Sequence, residues 1–199
     1  ALAAEEVEGG FSALYPVLRA LEESGRARRG YFVTGLGGSQ FAHPGALERL
    51  RALRERAPVE GSLPGMVLAS SDPANPYGAA LPWPKGGDAR PMRAAGTHVA
   101  IVDGRLAGYL GRGERDLATF LPAEEPGRTQ TARGLCAALA AWAARTGRSA
   151  LGWDPADGAP LAQGPLAPVL AEAGFVRSGP GYRFGGSPPE GSTATYPGR

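Results

Sequence analysis

The chain has 199 residues with a net charge of +2, and 31 glycines with 19 prolines, so it is loop-rich; 43% hydrophobic content still supplies a core and argues against wholesale disorder. Its one cysteine, Cys136, and two histidines, His43 and His98, exclude a disulfide framework, a CxxC metal site and a zinc site of ordinary ligand count, and they suit a reducing cytoplasm. The longest apolar stretches, around 135–144 and 99–102, fall far short of the ~20 residues that cross a bilayer, so no membrane partner is expected.

The N-terminal residues carry no initiator Met and no signal-peptide pattern, and read as a piece of a longer chain. Ser12 is a plausible cap for a helix to Ser24, in which Leu14, Val17, Leu18 and Leu21 form the apolar stripe. Tyr15, Arg19, Glu22 and Glu23 occupy its other face. A strand ending in Tyr31-Phe32-Val33, a glycine turn at 35–38 and a return strand at 40–42 make a Gly-tipped hairpin, and a helix followed by such a hairpin is the second half of a winged helix. A further helix from about Gly45 to Arg56 places Leu47, Leu50 and Leu53 on one side and Arg49, Arg51, Arg54 and Arg56 largely on the other, with Glu48 and Glu55 as ion-pair partners at helical spacing.

Residues 58–64 read as a linker, which puts a winged-helix domain at 1–57 and a second module at 65–184. The second module opens with a strand at 66–69 and continues through a proline-rich loop at 70–85. Strands at 97–102 and 105–110 follow, joined by Asp103-Gly104, a dipeptide suited to a type I′ hairpin turn. Asp116 to Leu121 adds a strand, Thr129 to Arg145 the longest helix, Ser149 to Trp153 a strand, Pro165 to Ala173 a short helix, and Phe175 to Phe184 a closing hairpin. The expected fold class is α+β: a winged helix followed by a small antiparallel β-barrel-like sheet packed with helices. The tail 185–199 has nothing to bury and reads as disordered.

Three strings carry a resemblance: EGGFSALYPVLRALEE at 8–23, RGYFVTGLGGSQFA at 29–42 and ASSDPANPYGAALPWP at 69–84. They resemble the C-terminal region of the bacterial large helicase-related (Lhr) proteins, superfamily 2 DNA helicases. The resemblance implies the last winged helix and barrel-like module of a protein whose motor, with its ATP and Mg, lies elsewhere. The chain has no G-x-x-x-x-G-K-[ST] string, and its sole lysine sits in Pro84-Lys85-Gly86, so no cofactor is expected in this fragment. The resemblance further implies DNA, single-stranded or forked, and the rest of the helicase chain as partners, self-association as a scaffolding role, and a place in DNA repair. The alternative is part of a uracil-type DNA glycosylase, because this extension is also similar to winged-helix glycosylases.

Two sets of residues then stand as candidates. For DNA, Tyr15 and Arg19 lie one turn apart on the would-be recognition helix, while Arg26, Arg28, Arg29, Tyr31 and Gln40 belong to the wing and its approach, where they could track phosphates and a groove edge. For base excision, a carboxylate must stand beside an extruded nucleotide. Asp72, Asp103, Asp154 and Asp157 sit on turns, each in a dipeptide with proline or glycine that equally explains it as a turn former. Asp72 is the best placed, because it opens the string with Asn75, Tyr77 and Trp83; those two aromatics serve either to stack a displaced base or to plug the core.

Overall fold

A computed structural model describes residues 8–33, 35–55, 63–85, 90–114, 116–147, 164, 166–179 and 181–185. The strand expected at 149–153, Asp154, Asp157 and the tail from 186 lie outside the described residues. The chain divides into two compact units: Ala1–Pro58 with Pro76–Pro82, and Val59–Asn75 with Trp83–Arg199.

In the first unit, α1 runs Gly10–Glu23, β1 Arg28–Gly30, β2 Gln40–Ala42 and α2 Pro44–Arg54. The strands pair antiparallel, Arg28 opposite Ala42 and Gly30 opposite Gln40, which makes the expected wing. Helix α1 begins two residues earlier than Ser12 because Gly9 and Gly10 adopt φ of 75° and 58°, a left-handed entry open to glycine, and no side chain caps it. Pro16 therefore lies inside the helix, beyond its first turn. Val17, expected in the apolar stripe, is 57% exposed, whereas Leu14, Leu18 and Leu21 are half-buried. His43 caps α2, its Nδ1 accepting from the Gly45 N–H at 3.2 Å in place of the more usual side-chain oxygen. Among the described residues, the expected ion pairs between Glu48 or Glu55 and the α2 arginines do not form.

In the second unit, β3 (Gly65–Ala69), β4 (His98–Val102), β5 (Arg105–Leu110) and β6 (Leu117–Thr119) form one antiparallel sheet in the order β3-β4-β5-β6. Among the described residues the sheet is open: it is barrel-like in its sequential antiparallel order and does not close on itself. At the β4–β5 turn, Asp103 and Gly104 take φ of 47° and 75°, the geometry that the dipeptide specifies. Helix α3 (Gly127–Thr146) packs on β3, β4 and β5 and ends at Gly147 in the left-handed conformation. Helix α4 (Ala167–Glu172) packs on α3 and on the hairpin of β7 (Phe175–Ser178) and β8 (Gly181–Phe184).

The core is continuous through these elements: Leu110, Leu117, Leu135, Leu139, Leu170 and Phe175 are all buried. Close approach of α3 to the sheet depends on small residues. A Cβ at Gly134 would stand 2.6 Å from Val102 Cγ1 and 2.7 Å from the Leu63 carbonyl oxygen, and one at Gly108 would meet Leu135 Cδ1 at 2.9 Å. Cys136 sits in this helix as a small hydrophobe, and burial pushes its thiol up to about 12, so it carries no thiolate chemistry at neutral pH.

Candidate nucleic-acid interface

On the wing and α1 the sequence candidates fall into two groups. Arg19 Nε donates to Glu23 Oε1 at 2.9 Å, one turn along the helix. The bond to Glu23 raises the already high basicity of this guanidinium. Arg29 Nε donates to Glu22 Oε1 at 3.2 Å and Arg29 Nη1 to the Tyr15 hydroxyl at 3.3 Å. Tyr15 in turn packs against Phe11 and Phe41, with ring centroids 5.8 and 6.2 Å away. Tyr15, Arg29 and Phe41 thus share one side of the wing because side chains alternate along a strand and cross-strand partners stand on the same face. Three of the seven DNA candidates are therefore committed to the α1–wing contact or to a helix ion pair.

Gln40 also has an internal role. Its Oε1 accepts from the Phe32 and Val33 N–H groups, each at 2.8 Å, and its Nε2 donates to the carbonyls of Val33 at 3.0 Å and Leu36 at 2.8 Å. Arg26, Arg28 and Tyr31 form the second group. All are exposed, and among the described residues Arg26 and Arg28 make no side-chain hydrogen bond or ion pair. The structure thus presents two free, permanently charged guanidinium groups and one exposed aromatic ring on the wing and its approach.

In the second unit, the loop after β3 is held by a buried polar cluster that sequence reasoning missed. Ser70, Asn75 and Thr97 are buried. The Ser70 and Thr97 hydroxyls lie 2.5 Å apart, and Asn75 Nδ2 donates to the Ser70 carbonyl at 2.7 Å. Arg93 spreads its guanidinium over three carbonyls, those of Asn75 at 2.7 Å and of Ser71 and Asp72 at 3.2 Å. The available signal was compositional: an asparagine between two prolines at 73–76 has few ways to satisfy its amide except against nearby backbone.

Asp72 completes this arrangement as a turn residue, its Oδ1 accepting from the Ala74 N–H at 2.8 Å. Asp103 forms the β4–β5 turn. Trp83 packs edge-on against Tyr109 at 5.9 Å and is only half-buried, as is Tyr77, so neither is the core plug that the string suggested. No group of three or more His, Cys, Asp or Glu side chains among the described residues could hold a metal ion. No helix among them is long and apolar enough to cross a membrane.

A helix, a two-stranded wing and a following helix, joined to an α+β module, define a winged-helix protein. Residues 1–62 match the family model described as the large helicase-related protein, winged-helix domain. Over 186 residues, 93% of the chain, the sequence is 35% identical to the "Lhr helicase/uracil glycosylase" of Escherichia coli strain K12. Over 122 residues, 60% of the chain, it is 52% identical to the "Lhr helicase/ probable uracil glycosylase" of Mycolicibacterium smegmatis. The matched regions are 12% and 8% of those proteins' lengths. The chain belongs to the Lhr family of helicases and represents a piece of their C-terminal region.

Proposed function

We propose that this chain is a non-motor module that binds DNA for an ATP-dependent helicase acting in cytoplasmic DNA repair, and that its wing makes the contact. The supporting observation is the pair of exposed, unpaired arginines, Arg26 and Arg28, on the wing approach, in a chain of an Lhr-type helicase. Guanidinium groups free of carboxylates are the ones that phosphate can engage without first breaking an ion pair. ATP and Mg belong to the motor of the parent protein; the single lysine here lacks a phosphate-cradling loop.

Phosphate neutralisation releases counterions, so affinity should fall steeply with salt. In Arg26→Ala/Arg28→Ala, the slope of log affinity against log salt for a single-stranded oligonucleotide is expected to flatten by roughly 1.4, about 0.7 for each phosphate no longer neutralised. Fluorescence anisotropy across a salt series measures this. Wild-type binding unchanged between low and moderate salt would sink the proposal, and a multimer by light scattering without DNA affinity would make the chain a self-association scaffold.

The relatives' names favour a second reading, base excision. Asp72 is the described carboxylate best placed for it, and its observed role is the turn. Asp72→Asn retains a side-chain oxygen for the Ala74 N–H, so it is expected to leave the melting temperature and DNA binding unchanged. Alkali-labile sites made in a uracil-containing oligonucleotide by wild type and absent with Asp72→Asn would establish the enzymatic reading instead.

A further inference from the structure

A primary amide has two donor hydrogens and an acceptor oxygen with two lone pairs, and Gln40 commits all of them to the backbone of the wing. It has no group left to read a base edge, and it fixes the chain just beyond Tyr31 at four points. The Phe32 ring folds back onto the strand, reaching 3.1 Å from where a Gly30 Cβ would stand. Tyr31 does neither: it is 87% exposed, the most exposed large hydrophobic side chain described. Meanwhile the C-terminal turn of α1, the helix that would enter a groove of duplex, carries half-buried Glu22 and exposed Glu23, and its nearest cations, Arg29 and Arg19, are paired to them. Carboxylates there oppose phosphate, so duplex docking along α1 has no cationic support.

We propose that Tyr31 is a stacking platform for an unpaired base, so that this winged helix prefers single-stranded DNA to duplex. The inference rests on the DNA-binding reading above and names its substrate form. Aromatic stacking needs no particular base, because each has a π-face, but it does need a base released from pairing. A ring displayed on a segment pinned by Gln40 meets that base with little further loss of conformational entropy.

The test is anisotropy at one low salt concentration with the full 199-residue chain, using a dT oligonucleotide and a hairpin duplex of equal length. Tyr31→Ala is expected to weaken single-strand binding by about 5- to 150-fold, the range for one missing base stack, and to change duplex binding less than about twofold. Tyr31→Phe should bind like wild type, since the ring and not the hydroxyl is used. Tyr31 is exposed, so both variants should melt with wild type, and that measurement excludes misfolding. Unchanged single-strand affinity in Tyr31→Ala, or equal losses on both DNAs, would overturn the proposal. Wild type that binds neither DNA would overturn the DNA-binding reading itself.

Discussion

Phe175→Ala is expected to cost about 3–5 kcal/mol of stability, among the largest losses from a single truncation of a described residue, because Phe175 is 2% exposed in the module's core. Its ring packs tilted against Phe184 at a centroid distance of 5.2 Å, and the two are opposite one another in the β7–β8 register. Removing it leaves a cavity beside α3 and α4 and strips a cross-strand aromatic pair worth ~1 kcal/mol beyond its buried area. Chemical denaturation monitored by circular dichroism should show a lower midpoint with little change of slope. Val176→Ala one position along, on an exposed site, should cost well under ~1 kcal/mol.

Gly134→Ala sets two effects of opposite sign against each other. Helix propensity alone favours alanine by about 1 kcal/mol inside α3. The added methyl, however, would lie 2.6 Å from Val102 Cγ1 and 2.7 Å from the Leu63 carbonyl oxygen, and the latter is backbone that cannot rotate away. Overpacking of this kind costs about 1–3 kcal/mol, so the net result is expected to be destabilising. Gly45→Ala is the control: its nearest neighbour, His43 Nδ1, would stand 3.6 Å away, an ordinary contact, and the substitution should be neutral or slightly stabilising. A thermal melt in which Gly134→Ala matches or exceeds wild type would show that α3 shifts on the sheet at no cost.

The parts of this fold that sequence reading reached are those set by local chemistry. Asp103-Gly104 specifies its own turn, and the glycine turn at 35–38 takes positive φ at Gly35 and Gly38. What it did not reach depends on partners far apart in sequence or on backbone geometry. The start of α1 is fixed by two positive φ angles at Gly9 and Gly10, which Ser12 overshadows in a pattern search. Arg29 meets Glu22 across the turn between α1 and β1, so its pairing is invisible to helical spacing. Arg19 and Glu23 stand at a spacing that permits an ion pair, which a shared helix face alone does not distinguish from two solvated charges. Gln40 was legible as a polar wing residue, and only the folded hairpin shows that its amide is taken up within the wing.

Of the seven DNA candidates, Tyr15, Arg19, Arg28, Arg29 and Gln40 lie on the expected elements, whereas β1 ends at Gly30 and leaves Tyr31 beyond the strand expected to hold it; side-chain pairing then separates Arg26, Arg28 and Tyr31 from the rest. The Ser70–Asn75–Thr97–Arg93 cluster escaped notice for a related reason. Polar residues in loops 24 positions apart look like ordinary loop composition until the segments at 70–75 and 93–97 are brought together.

Pro76–Pro82 belong to the first unit, while Asn75 and Trp83 on either side of them belong to the second. The chain passes from one unit to the other three times. A recombination break near residue 58 would separate the wing from seven residues of its own unit, and a transplanted N-terminal piece would arrive without them. The first unit is therefore discontinuous in sequence, and a piece of chain that ends at residue 58 lacks part of it.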